Sequence, residues 1–272
     1  MRLVTELELA ELPLTRAYLL EHEQALRGRE RGAMDHDGWY AFGRTQSLGA
    51  HNRPKLGVAA TVKRLEIAAD PDGAVYFHNV RVNGILLNEG GPSIWTLLAL
   101  LNSRLLDFAF RRGAAEHQNA HFAANKQFIA PLPIRLPDDP SELDRLGERL
   151  HNRAARIAAE RRGFLDWLAG AIGTRLASLS GSTALLAYED HTVAELLAVL
   201  QRNTSQTSPT GSRAFREELA REYGESLDRL APLRADLARD ERGADELVYD
   251  LYGLDASQRD LVEAEYGASS DH

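Results

Sequence analysis

The sequence has 272 residues, a formal net charge of −8, a 26% share of charged residues and no cysteine. This length suits one large domain or two ordinary ones, and the composition excludes fibrous and membrane-embedded proteins, disulfides, thiol nucleophiles and Cys-ligated zinc. Because no apolar stretch reaches bilayer length and the acidic N-terminus lacks a secretory signal, we expect a cytoplasmic protein without membrane contact.

The charge is divided unevenly along the chain. Up to Pro137 there are 16 Lys and Arg against 14 Asp and Glu, and after it 16 against 26, so the two parts carry about +2 and −10. The segment from Arg27 to Arg64 contains eight basic and three acidic residues. Such a local excess is typical of a surface that contacts phosphates, and a solvated basic face is the structural alternative.

The first predicted helix starts near Thr15, a possible N-cap, and ends in the basic run from Arg27 to Gly32. The segment WYAFGRTQSLGAHNRPK from Trp39 to Lys55 follows. It combines an aromatic cluster with a Gly-Arg pair, an amide and two further basic residues. The donors in this segment favour a polar partner, whereas its aromatic residues are more typical of a core.

Short predicted strands and turns occupy the next part of the chain. VKRLEIAAD ends in the turn Asp70-Pro71-Asp72-Gly73, and AVYFHNVRVNGILL contains Asn83-Gly84 as a second turn. This alternation predicts a small antiparallel or mixed sheet and not a doubly wound one. Ser93 then begins a helix that runs through Leu101-Asn102-Ser103 to about Gly113.

Residues 113–125 are predicted to be a loop, and KQFIAPLPI from Lys126 to Ile134 an apolar strand broken by prolines. From Ser141 to Gly173, apolar residues recur every three or four positions and predict one long amphipathic helix. More helices are predicted at 193–200, 215–223, 226–239, 246–252 and 260–266. The predicted fold is α+β: a helical lead-in (1–26), a recognition domain with a small mixed or antiparallel sheet (27–137), and an all-α domain with a long spacer helix (138–272).

Four segments resemble one known protein family and occur in the order that this family shows. They are WYAFGRTQSL, Leu101-Asn102-Ser103, KQFIAPLPI and DELVYDLYGLD (245–255). Together they resemble the TaqI-like C-terminal target-recognition region of type IIG restriction–modification, adenine-specific DNA methyltransferases. The resemblance implies double-stranded DNA as a partner. It also implies a methyltransferase or restriction catalytic subunit, or an upstream domain, that binds S-adenosylmethionine.

The motifs that adenine methylation requires are missing from this sequence. There is no Gly-rich cofactor turn and no Asn-Pro-Pro-Tyr type motif to hold a flipped base. The chain is therefore not expected to methylate alone, and no catalytic residue or cofactor is assigned to it. The expected function is sequence-specific duplex DNA binding in a restriction–modification or phage-defence system.

Residue type selects the candidate DNA contacts. Arg pairs with guanine, Asn and Gln pair with adenine, and Lys and Arg also bind phosphates. A buried polar brace is the alternative for Arg44 and Gln46. The expected DNA-binding residues are Arg44, Gln46, Arg53, Lys55, Lys63, Arg64, Arg81, Asn83, Asn119, Asn125, Lys126 and Gln127.

Two other functions remain open from the sequence. In a helical assembly protein, the long helix from Ser141 would pair with a helix of a partner. In a metal-dependent nuclease, His117 with His121, or Asp70, Asp72 and Glu89, would have to bind a cation. Hydrogen-bonding loop residues and ordinary turn acids explain these patterns more simply, so no metal ligand is assigned.

Overall fold

The computed structural model describes residues 4–43, 48–77, 80–117, 120–203 and 210–268. Within these ranges the chain is α+β, as predicted, with small antiparallel sheets and a long helix. None of the helices in the described ranges combines the length and the apolar character that crossing a bilayer requires.

Three short helices open the described chain: α1 (Glu6–Ala10), α2 (Pro13–Glu21) and α3 (Glu23–Arg27). Thr5 is the N-cap of α1, where its side chain and that of Glu8 form a reciprocal capping box. The cap predicted at Thr15 is wrong. Pro13 occupies the first turn of α2, where its missing N–H has no cost, so Thr15 lies inside the helix.

In the described part of the chain, six strands form two small antiparallel sheets: β1 (Lys55–Ala59), β2 (Thr61–Val62), β3 (Ile67–Asp70), β4 (Val82–Leu86), β5 (Glu116–His117) and β6 (His121–Ala123). The strand orders are β3-β1-β4 and β2-β6-β5. Ala60 joins the two sheets, because its N–H donates to Arg81 O (2.8 Å) and its carbonyl accepts from Ala124 N (3.0 Å). The loop predicted at 113–125 therefore contains two strands.

The turn predicted at Asn83-Gly84 is wrong, since both residues lie inside β4. Gly84 pairs with Gly57 of β1, and the Phe77 ring covers both glycines. A Cβ atom on Gly57 would lie 2.6 Å from Cζ of Phe77. Gly84 thus makes room for an aromatic ring on the sheet and does not reverse the chain.

Three helices follow the first sheet: α4 (Ile94–Leu101), α5 (Arg104–Gly113) and α6 (Lys126–Ile129). Ser93 caps α4 as predicted, but the helix stops at Asn102. The Asn102 amide accepts from Ile67 N (2.8 Å) and donates to Ile67 O (2.9 Å), and Ser103 then caps α5. The strand predicted from Lys126 is also wrong, because the chain forms a helical turn there.

The remaining helices are α7 (Ser141–Ile172), α8 (Ser182–Leu186), α9 (Val193–Arg202), α10 (Arg213–Tyr252) and α11 (Ala256–Ala268). The long helix predicted from Ser141 is confirmed, and it ends at Gly173 with φ 72°. Three helices predicted between residues 215 and 252 are one 40-residue helix with Pro232 inside it. Helices α7 and α10 pack along each other as an antiparallel hairpin.

Two large cores lie at opposite ends of this helical hairpin. The first core contains residues of β1, β3, α4 and α5 together with Leu143 of α7 and Val248 of α10. The second core surrounds Phe164, Tyr188 and Leu219 at the other end. The first core thus takes side chains from both sides of the boundary predicted at residue 137.

Candidate nucleic-acid interface

The first sheet has a core face and an outer face. Leu56 and Val58 are buried in the core. The alternate residues of β1 point to the outer face, which residues 74–77 cover through the Phe77 ring. The Asp70 carboxylate fixes this covering segment by accepting from the N–H groups of Ala74 and Val75, each at 2.9 Å.

Lys55 lies beneath the covering segment and is only 2% exposed. Its ammonium group forms an ion pair with Asp70 and donates to His51 O at 2.6 Å. Burial acts to raise the pKa of Asp70, but Lys55 and the two N–H donors outweigh it, so this pKa lies below its usual value. The DNA contact predicted for Lys55 is therefore withdrawn, because its charge is used inside the protein.

Arg64 and Asn83 are also engaged in internal contacts. The Arg64 guanidinium lies 4.0 Å from the centroid of the Tyr266 ring in α11, and it donates to Tyr266 O at 3.2 Å. Asn83 donates from Nδ2 to Ala124 O at 2.8 Å, which ties β4 to the end of β6. These side chains position elements of the fold, so base or phosphate contacts are not assigned to them.

Asn125 is half-buried and acts as the N-cap of α6. Its side-chain oxygen accepts from Gln127 N at 2.9 Å. The next two side chains, Lys126 and Gln127, are exposed at the start of this helical turn. The structure thus makes Asn125 the support of the pair and leaves that pair at the surface.

The exposed candidates meet where the two sheets join. The backbones of Arg81 and Ala124 both hydrogen-bond to Ala60, and Lys126 is two residues beyond Ala124, so the backbones of Arg81 and Lys126 flank the same junction. Lys63 follows β2 in the second sheet and is also exposed. We call Lys63, Arg81, Lys126 and Gln127 the strand-junction surface.

A second exposed group lies at the other end of β1. The Tyr76 ring is 56% exposed and stacks on His51 with 5.1 Å between the ring centroids. Arg53 is exposed and donates to Leu87 O at 3.2 Å. We call His51, Arg53 and Tyr76 the loop surface. The two surfaces are separated by the length of β1, about 14 Å for four residue steps.

Tyr76 is the candidate contact that sequence reasoning missed. Its segment was predicted to be a strand, and a strand residue of this type normally packs. Its exposure follows from its place beside Phe77, which fills the space over the sheet. Three predicted contacts, Arg44, Gln46 and Asn119, lie outside the described residues.

Many of the basic side chains between Arg27 and Arg64 form ion pairs or hydrogen bonds within the protein. Arg27 pairs with Glu23 and Asp35, and Arg29 donates to two backbone carbonyls of the segment 39–41. With Lys55 and Arg64, four of the eight basic residues are engaged in this way. A count of charges along the sequence cannot detect these pairings, and it overstates the basic surface.

A cavity of about 790 Å³ lies on the other side of the first sheet, between β3, α4, α7, α10 and α11. Asp245 lies at its edge and is 5% exposed. Its carboxylate accepts from Arg104 N at 2.8 Å and faces Arg104 Nε at 3.1 Å. Burial outweighs these contacts and raises the pKa of Asp245 to about 7.

The assembly and nuclease alternatives depend on the long helix α7 and on the pair His117 and His121. The long helix α7 pairs with α10 of the same chain, so that face is filled. His117 and His121 are opposite residues in the β5–β6 pair. In the part of the chain that the structure describes, no three His, Asp or Glu residues are grouped as a metal site.

No known protein-family model matches the sequence, and no curated protein is significantly similar to it. The resemblance of the four sequence segments therefore stays a prediction, and the geometry of the strand-junction surface is the basis for a functional proposal.

Proposed function

We propose that this protein binds double-stranded DNA in a sequence-specific manner, as the target-recognition part of an adenine-N6 DNA methyltransferase or restriction system. In this proposal, methyl transfer and S-adenosylmethionine binding belong to a missing or partner portion. The observation that supports it is the exposed strand-junction surface, which combines Arg81, the residue before β4, with Lys126 and Gln127 of α6.

The residue types on this surface suit the two parts of DNA recognition. Lys and Arg neutralise phosphates and fix the register of a protein on the duplex, whereas an exposed Gln can pair with an adenine edge. In the proposal, Lys63, Arg81 and Lys126 contact the backbone, and Gln127 reads a base. Arg53 supplies a further phosphate contact beyond the far end of β1, beside the Tyr76 ring.

The test is the salt dependence of duplex binding. Wild-type protein should bind a mixed-sequence duplex at about 50 mM salt and lose that affinity towards 200 mM. The double variant Arg81→Ala, Lys126→Ala should reduce the slope of log K against log salt by about 2, because each lost phosphate contact removes about one unit. Fluorescence anisotropy over a salt series measures both quantities.

Arg213→Ala is the matched control. Arg213 starts α10, its side chain is 92% exposed beside Glu217, and the substitution removes an exposed cation from another part of the molecule. It should leave the salt slope unchanged. The proposal is wrong if wild-type protein binds no duplex at low salt, or if the double variant and Arg213→Ala behave alike.

A further inference from the structure

The helix α2 buries none of its side chains, although four of its nine residues are Leu, Ala or Tyr in the run from Ala17 to Leu20. Leu14 is 87% exposed and Tyr18 is 63% exposed. The two residues are four positions apart, so they lie on the same side of the helix. In the preceding helix α1, Leu7 is 82% exposed.

Exposed apolar side chains are concentrated in this part of the chain. Six of the fifteen large exposed hydrophobic residues among the described ones lie between Val4 and Leu20. A helix of nine residues is marginal in water, and packing of an apolar face normally stabilises it. The face of α2 that carries Leu14 and Tyr18 is therefore a candidate binding surface for another molecule.

The charge around this face limits what can cover it. Residues 4–23 contain five Glu and a single Arg, Arg16. Nucleic acids and anionic lipid surfaces would be repelled by the carboxylates. A second copy in a face-to-face dimer would place acidic residues against acidic residues. A basic partner, in contrast, gains both apolar contact and charge complementarity.

We propose that α1 and α2 form a docking surface for an amphipathic helix of another protein, with an apolar stripe flanked by Lys or Arg. Leu7, Leu14 and Tyr18 contact the stripe, and the exposed carboxylates of Glu11 and Glu21 pair with the basic flanks. This is recognition of a helix through apolar anchors at helical spacing. The inference goes beyond DNA binding and does not depend on it.

A designed peptide provides a defined probe. It has about 18 residues, with Leu on one face and Lys on the other, and its counterpart replaces each Lys by Glu. The full chain should bind the Leu–Lys peptide and not the Leu–Glu peptide, and the affinity should fall with salt. Titration calorimetry measures the dissociation constants, and sedimentation of the protein alone reports its oligomeric state.

The matched variants are Leu14→Glu and Leu20→Glu. Both leucines are exposed on α2, and the two changes are chemically identical. Leu14→Glu should weaken binding of the Leu–Lys peptide at least about tenfold, because it removes an apolar anchor. Leu20 is six positions from Leu14 and lies on the opposite side of the helix, so Leu20→Glu should leave the affinity within about twofold.

Three results would overturn the inference. The first is binding of both peptides with equal affinity, or of neither. The second is an equal response of the two variants, since binding would then reflect only the net negative charge of the protein. The third is a concentration-dependent dimer that Leu14→Glu dissociates, because a second copy would then cover this face.

Discussion

The surroundings of two buried aspartates, Asp70 and Asp245, shift their pKa values in opposite directions. Asp70 has a lowered pKa because Lys55 and two backbone N–H groups outweigh the effect of its burial. For Asp245 burial is the larger effect, and it raises the pKa to about 7 although Arg104 supplies an N–H and a guanidinium. The contribution of Asp70 to the free energy of unfolding should therefore rise with pH, whereas that of Asp245 should fall.

The substitution Asp245→Asn tests this at the residue scale. Between pH 4 and pH 7 the folded protein binds a proton at Asp245 that the unfolded chain, with a pKa of 3.8, releases. This group therefore lowers the free energy of unfolding as pH rises towards 7, and its effect is constant above that pH. Asp245→Asn should therefore remove a decrease of roughly 2.5 kcal/mol in the free energy of unfolding between pH 5 and pH 8. Urea unfolding at several pH values measures it.

Asp228→Asn is a control on the same helix, because the Asp228 side chain is exposed. It should retain the wild-type dependence of stability on pH. If Asp245→Asn also retains that dependence, Arg104 keeps the carboxyl group ionised at all these pH values.

The different exposures of Arg53 and Lys55 could not be predicted from the local sequence. Arg53 and Lys55 are two positions apart and were given the same role, but Arg53 is exposed and Lys55 is buried. The difference arises because residues 74–77 cover the outer face beside Lys55. The placement of this segment depends on long-range packing, which a local sequence pattern does not contain.

At the scale of elements, long periodic signals predicted structure better than short ones. The pattern from Ser141 spans about nine turns and ends in a glycine, so α7 was predicted almost to its last residue. Asn83-Gly84 and Lys126–Ile129 are short segments with an ambiguous local preference. Contacts outside each segment determine its secondary structure. The Phe77 ring packs over Gly84 in a strand, and the Asn125 cap starts a helical turn at Lys126.

The crossing of α4 and α7 provides a sharp test of element packing. A Cβ atom on Gly147 would lie 2.1 Å from the carbonyl oxygen of Trp95, and backbone atoms cannot rotate away as a side chain can. Gly147→Ala should therefore lower the free energy of unfolding by about 3 kcal/mol through overpacking. Chemical denaturation followed by circular dichroism measures this loss.

Gly163→Ala is the control on the same helix. A Cβ atom there meets no heavy atom within 4 Å, so only the gain in helix propensity remains. That variant should be more stable than wild type by about 0.5–1 kcal/mol. Equal responses of the two variants would show that α4 and α7 do not cross as closely as the structure indicates.

At the scale of the whole molecule, three of the four segments that carry the family resemblance meet at one junction. Asp245 of DELVYDLYGLD accepts the N–H of Arg104, directly after Leu101-Asn102-Ser103. The Tyr252 hydroxyl donates to Pro133 O in KQFIAPLPI and accepts from Arg135 N at 2.9 Å. These contacts fasten the end of α10 to α5 and to the chain that follows α6, so the segments serve the framework of the fold, while Lys126 and Gln127 at the start of KQFIAPLPI stay exposed.

The α+β class could be predicted because it follows from local periodicity and turn residues. The shared first core could not, because it joins Leu143 and Val248, which are over a hundred positions apart in the chain. The strand-junction surface was predicted only in part. The sequence identified all four of its residues, Lys63, Arg81, Lys126 and Gln127, but it could not distinguish them from Lys55, Arg64 and Asn83, whose partners are distant in sequence.

The shared core leads to a prediction about a truncated chain. A fragment of residues 1–137 lacks the side chains of α7 and α10 that pack on Leu98, Leu100 and Phe110. Its remaining core would be open to water on one side. We therefore expect the fragment to unfold without a cooperative transition and to bind a hydrophobic dye, unlike the full chain.

Near-ultraviolet circular dichroism and urea unfolding of the fragment and the full chain measure this difference. A Val248→Ala variant of the full chain adds a graded comparison, because Val248 is fully buried in the first core. It should lose stability but keep a cooperative transition. A fragment of residues 1–137 with a cooperative transition and a native-like spectrum would contradict the shared core and would make the sheet-containing part a domain of its own.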